Sequence, residues 1–186
     1  RMLTVQIQNQ DPLNPVEASD YAVQLATFSG VEQQVLTNDL LKALSGQMNV
    51  AGLAQMGDWV GREVRVAAPA WFDGSPITIA PNPAALADRV ELVVRDATGT
   101  EVQRLDLPVS AEPIEWVGMT TDNSPLPSGL YSFTVESIVD DEVVLSETAE
   151  VYARVSEVQS VGGILQLVLP GGVQVASDDV TALRDV

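Results

Sequence analysis

Val90-Glu91-Leu92-Val93-Val94-Arg95-Asp96-Ala97-Thr98-Gly99 begins the stretch that decides the fold. Val90, Leu92 and Val94 alternate with Glu91 and, past Val93, with Arg95, which is the period of a strand with one buried face. Asp96 to Gly99 has turn composition, with glycine where a left-handed residue is needed. Leu105 and Leu107 then resume the alternation, so the stretch predicts a hairpin. The same pattern spreads outward in both directions. Val64 with Val66 and Ile77 with Ile79 precede it. Tyr131, Phe133 and Val135, then Val151, Ala153 and Val155, follow it. Ile164 to Leu169 is a denser run stopped by Pro170-Gly171-Gly172, after which Val173 and Val175 resume. Short strands with turns at regular spacing predict an antiparallel sandwich, a small barrel, or both.

The front of the chain has a different period. Gln10-Asp11-Pro12-Leu13-Asn14-Pro15 is not regular helix, because each proline lacks a donor and extends the residue before it. Ser19 or Asp20 is expected to cap a helix. Tyr21, Leu25, Phe28, Val31 and Val35 recur at spacings of three and four and form one apolar stripe. Leu36, Leu40, Leu44 and Met48 continue at spacings of four on a drifting face. The spacing predicts one long helix or a helix pair over about 19–52, with Gly30, Ser45-Gly46 and Gly52 as points of weakness. Such a stripe needs cover, either from its own domain or from another chain.

Composition excludes several functions. The 186 residues carry nine Lys+Arg against 26 Asp+Glu, a net charge of −17, which makes nucleic acid and anionic membrane poor partners. Residues 1–56 hold a net of −3 and residues 57–186 a net of −14, so most of the charge sits on the β part. There is no His and no Cys, which removes Ser-His-Asp and thiolate chemistry, disulfides, and zinc sites built on N or S ligands. No apolar run is long enough to cross a bilayer. Hydrophobic residues at 46% are too many for a disordered chain. The sequence opens on Arg1 rather than Met, and residues upstream of it are expected.

What chemistry remains is weak. Asp140-Asp141-Glu142 reads as a solvated hairpin tip rather than a calcium loop. Asp178-Asp179 flanks the last strand. Glu101, Glu112 and Glu115 can act as an acid–base pair only in a cleft of set width. Trp59, Trp71 and Trp116 are candidates for a sugar platform, against a core or hairpin role for each. Ser128 has no nucleophile elbow, and Gly171-Gly172 is a turn with neither helix nor Lys after it. No enzyme, cofactor or metal site is expected.

Two stretches carry a family pattern. Gln8-Asn9-Gln10-Asp11-Pro12-Leu13-Asn14-Pro15, followed by Gln24-Leu25-Ala26-Thr27-Phe28-Ser29-Gly30-Val31-Glu32-Gln33, resembles the amino-terminal region of the flagellar hook-assembly scaffold (hook-capping) family. That family carries "LQNQDPLNP" and "QLAQFSxVEQ"; here Ile7 stands in place of Leu, and Thr27 and Gly30 also differ. Ile114-Glu115-Trp116-Val117-Gly118 and Pro125-Leu126-Pro127-Ser128-Gly129-Leu130-Tyr131-Ser132-Phe133-Thr134-Val135 look like the family's "W-x-G…LPxGxYxFxV" hairpin, with Val117 where an acidic residue is usual. Gly61-Arg62-Glu63-Val64 is similar to its first strand after the helix, so the resemblance covers nearly the whole chain.

The resemblance implies a mostly β protein with an N-terminal α-helical segment, in which a fibronectin-III/Ig-like sandwich is inserted into a Tudor-like small β-barrel. On this sequence, residues 1–56 are the extended segment and helix, 57–80 and 150–186 the barrel, and 81–149 the sandwich. It implies a scaffold that caps the growing hook, promotes hook subunit polymerisation and is absent from the finished flagellum. The implied partners are the hook subunit protein, further copies of the chain in a homo-oligomeric cap of about five matching the hook's symmetry, and the flagellar export apparatus. The implied place is the distal tip of the rod-hook after type III export, with a cytoplasmic pool before it. The contact residues expected are Leu13, Pro15, Tyr21, Leu25, Phe28, Val31 and Val35. The alternative is a secreted Ig-like module binding carbohydrate or a cell-surface partner.

Overall fold

The structure, a computed structural model, describes residues 16–186. Contacts divide the chain into one unit that ends at Met48 and a second that spans Asn49–Val186.

Helix α1 runs unbroken over Val16–Met56, 41 residues. It is a single helix rather than a pair, and it is already helical at Val16, so neither Ser19 nor Asp20 is its cap. Gly30, Gly46 and Gly52 do not interrupt it, since each costs only about 1 kcal/mol against Ala among strong helix formers.

Among the described residues thirteen strands make three sheets. The first has the order β13 (Ala182–Arg184), β1 (Glu63–Ala67), β9 (Glu150–Arg154), β3 (Ile77–Ala80), β6 (Ile114–Trp116). The second has β2 (Ala70–Phe72), β7 (Gly129–Val139), β4 (Arg89–Asp96), β5 (Glu101–Leu107), with β8 (Glu142–Thr148) also on β7. The third is β10 (Glu157–Val161), β11 (Ile164–Leu169), β12 (Val173–Ala176). The hairpin predicted from residue 90 is β4–β5, with Val90 opposite Leu107 and Leu92 opposite Leu105. Three acceptances at Asp96 Oδ1 shape its turn, from the Thr98 amide (2.9 Å), the Thr98 hydroxyl (2.6 Å) and the Thr100 amide (3.0 Å).

Two cores lie between these sheets. The first takes Phe72, Ile77, Ile79, Val90, Leu92, Val94, Trp116, Tyr131, Phe133, Val135 and Val151. The second takes Met56, Val64, Val66, Ala153, Val155, Leu167 and Leu169. Val151, Ala153 and Val155 are two residues apart, so one face of the β9 segment serves the first core at its start and the second beyond it. A single sheet is thus a floor common to both cores. That arrangement corrects the expectation of a closed Tudor-like barrel: among the described residues no barrel closes. β1 and β9 are committed to the common sheet, which leaves β10–β11–β12 as an open sheet with too few strands to curl shut.

Trp116 organises the first core. Its ring lies 5.0 Å from Phe72, 5.1 Å from Phe133 and 5.3 Å from Tyr131, edge-on or tilted. Its indole N–H donates to Gln103 Oε1 at 2.8 Å, and Gln103 Nε2 donates in turn to the Met119 carbonyl at 2.7 Å, so the buried donor is satisfied. Tyr131 donates its hydroxyl to the Pro127 carbonyl four residues back. Gly118, φ +64°, lies against Phe72, and a Cβ there would run into the ring. This is the physical content of the Trp116-Val117-Gly118 and Pro127-to-Tyr131 patterns.

The outer face of the second sheet carries charge. Arg104 reaches Glu91 and Glu136 (each 2.7 Å) and Glu101 (3.0 Å). These carboxylates, Glu101 first, push the guanidinium pKa up, so Arg104 stays charged throughout. Val93 sits directly opposite Arg104 in the ladder, on this outer face, and is nevertheless fully buried.

Candidate functional site

An α-helix turns about 100° per residue, so spacings of three and four return to one face, and a run of fours drifts by about 40° a step. Tyr21, Leu25, Phe28, Val31 and Val35 therefore share a face of α1, whereas Leu36, Leu40, Leu44 and Met48 wind round to the opposite side. All five stripe residues are exposed, from 50% at Leu25 to 73% at Phe28. The four drifting residues are exposed as well. Leu13 and Pro15, the other two expected contact residues, lie outside the described residues.

The stripe is dilute in charge. From Tyr21 to Met48 the helix holds only Glu32, Asp39 and Lys42. Thr27 and Thr37 turn their hydroxyls inward onto the carbonyls of Val23 and Gln33, 2.8 Å each, and so withdraw polarity from the surface. Val23 and Leu41 are also exposed and lie off the stripe. Sequence periodicity passed over them because they break the three–four rhythm, although their exposure extends the apolar surface to further faces.

The last turns of α1 differ. Met56 is buried in the second core, and Gly52 brings its bare backbone against the Leu165 side chain. The stretch 50–57 is thus helical and anchored to the second core.

The chemical candidates do not converge. Trp116 is 2% exposed and unavailable to a sugar, Trp59 packs against the second core, and Trp71 is exposed on β2. Glu101 is engaged by Arg104, and Glu115 accepts from the Thr78 hydroxyl at 2.7 Å. Asp140 and Asp141, both at positive φ, form the two-residue turn between β7 and β8. Among the described residues no three His, Cys, Asp or Glu side chains gather as a metal site. Among them, too, no helix is long and apolar enough to span a membrane.

Residues 1–43 match the flagellar hook capping protein N-terminal region, and residues 66–141 match the FlgD Ig-like domain. Basal-body rod modification protein FlgD of Escherichia coli (strain K12) is 29% identical over 148 residues, 73% of this chain. The chain spans 64% of that relative's length. The crystal structure of FlgD from P. aeruginosa aligns with a TM-score of 0.54 at 26% identity, covering 68% of this chain and 98% of that one. FlgD from Xanthomonas campestris, whose structure was described in terms of hook capping essential for flagellar assembly, shares the fold at TM-score 0.57 and 24% identity, over 73% and 99% of the two chains. With both matched regions in their expected places along one mostly β fold, this chain belongs to the FlgD-like flagellar hook-capping family.

Proposed function

We propose that this chain is a flagellar hook assembly scaffold: it caps the growing hook, promotes polymerisation of hook subunits and is absent from the finished flagellum. The observation that carries this reading is the contrast within one chain between a helix whose apolar stripe is exposed along its length and a β part that buries its largest side chains, Phe72, Phe133, Ile79, Leu92, Leu167 and Leu169 among them, in two cores. A cap must hold several subunits and release each in turn, which favours many weak contacts over one tight interface. In this reading Tyr21, Leu25, Phe28, Val31 and Val35, with Leu13 and Pro15 before them, meet neighbouring copies or hook subunits.

The partners are the hook subunit, further copies of the chain in a ring of about five, and the flagellar type III export apparatus. The place is the distal tip of the rod-hook, with a cytoplasmic pool before export. The reading assigns no catalytic step. For the domains, residues 1–56 form the contact arm, 57–80 with 150–186 the base, and 81–149 the Ig-like sandwich. The second core, drawn from Val64, Val66, Ala153, Val155, Leu167 and Leu169, supports this base, while Phe72, Ile77 and Ile79 add their side chains to the sandwich core.

The test is deletion of the gene followed by microscopy of basal bodies. Rods that lack hooks, restored by the natural chain and not by one carrying Leu25→Asp and Phe28→Asp, are expected. Normal hooks after deletion would sink the function, and full restoration by the double variant would sink the role of the stripe.

A further inference from the structure

The sheets of this protein guard their long edges unequally. β5 and β8 border the second sheet, and each carries a bulge, with Val102 of β5 and Val144 of β8 as the extra residues opposite Val94/Arg95 and Ser137/Ile138. Bulges and edge charges are the usual devices that stop one edge from pairing with another. β10 borders the third sheet with neither device complete. Its five residues run in uninterrupted register with β11, from Glu157 opposite Val168 to Val161 opposite Ile164. Among the described residues no strand pairs with its outer side.

Charge sets this edge apart as well. From Val158 to Ser177 twenty residues pass without an Asp, Glu, Lys or Arg, in a chain of net charge −17. Copies of so acidic a chain repel one another over most of their surface. An edge with a single charge, Glu157 at its start, is where that repulsion is least. Gly162 and Gly163, φ +60° and +87°, close the β10–β11 hairpin with a two-residue turn. Such a turn makes Val161 and Ile164 a hydrogen-bonded pair, so the amides and carbonyls of Val158 and Ser160 point outward.

We propose that two copies of this chain pair antiparallel through β10, about a two-fold axis at Gln159. In that register Val158 lies opposite Ser160 of the second copy, and their outward groups are the ones that bond. Gln159 faces Gln159 of the second copy across a non-hydrogen-bonded position. Glu157, the one charge of the strand, lies opposite Val161 of the second copy, which is 50% exposed in the single chain. The two Glu157 carboxylates are then about 13 Å apart along the strands, beyond the screening length of about 8 Å at physiological salt. An isologous contact saturates at two copies. It is therefore a different contact from those of a cap ring and goes beyond the function proposed above.

The absence of native cysteine makes the test clean. Gln159→Cys is introduced in the full chain with Phe28→Asp present, which removes association through the helix, and disulfide dimer is followed under mild oxidation. Cβ atoms at facing non-hydrogen-bonded positions are close enough to bridge. Gln174→Cys on β12, exposed on the same sheet, is the control. Gln159→Cys should cross-link roughly tenfold faster than the control, because pairing raises the effective thiol concentration. Val161→Glu should slow it by placing Glu opposite Glu157, and Val161→Arg should speed it, with the control unchanged in both backgrounds. Equal rates for the two cysteines, or the same effect from both Val161 variants, would overturn the pairing. Neither outcome bears on hook capping, which is read from basal bodies.

Discussion

The helix up to Met48 and the β unit from Asn49 are both rich in large apolar residues, yet they treat them in opposite ways. In the β unit Phe72, Phe133, Ile79, Leu92, Leu167 and Leu169 are all at most 2% exposed. On the helix no stripe residue is less than half exposed. Burying one such side chain fully is worth about 1.5–3 kcal/mol, so the β unit has already gained what the helix has not. Stability of the single chain should therefore live in the β unit, and sensitivity to association in the helix. A 41-residue helix persists because propensity carries it, not because its stripe is covered.

That contrast is broken most directly at Trp116. Trp116→Ala should cost about 4 kcal/mol of unfolding free energy by denaturant titration, since it leaves a large cavity among three rings. A loss below about 1 kcal/mol would show that the aromatic cluster is not the keystone of the first core. Gly118→Ala should cost about 3 kcal/mol in the same assay, because a methyl there meets Phe72 on a backbone of positive φ. Arg104→Ala should cost about 1 kcal/mol, as the network is partly open to solvent and screened. The difference between natural chain and variant should shrink as salt is raised.

Acid sharpens the comparison without a mutation. The Thr98 hydroxyl bond holds Asp96 below the ordinary carboxylate range, and its bond to Arg104 does the same for Glu101. A carboxyl with a depressed folded pKa contributes stability above its unfolded pKa and loses it as pH falls through the folded value. Melting of the β unit should therefore drop as pH falls below the ordinary carboxylate range, and Asp96→Asn should flatten that drop. The smallest effect is expected on the helix: Leu25→Asp and Phe28→Asp should change unfolding of the single chain by less than about 0.5 kcal/mol. Loss of β-unit stability in these variants would mean that the stripe is covered within the monomer.

Much of this was legible in the sequence. Alternation marked β1, β3, β4, β5, β7, β9, β11 and β12, because a half-buried strand writes its period locally. It missed β2, β10 and β13, which are short or lack clean alternation, and β8, where the adjacent Val143 and Val144 interrupt the period. The Tyr21-to-Val35 stripe was legible for the same local reason. The turn at Asp140-Asp141 was read correctly from its charge.

Periodicity therefore determined which residues turn inward on each strand and which line one face of the helix, since both follow from backbone geometry within a few residues. Only the tertiary structure decided which strands meet. Val64 pairs with Ala153 on one side and Leu183 on the other, partners about a hundred residues away that no local period announces. From that pairing follow the shared floor under two cores, the open third sheet in place of a barrel, and the burial of Trp116. Long-range hydrogen-bond partners are chosen by how whole sheets pack, and packing is a property of the assembled chain.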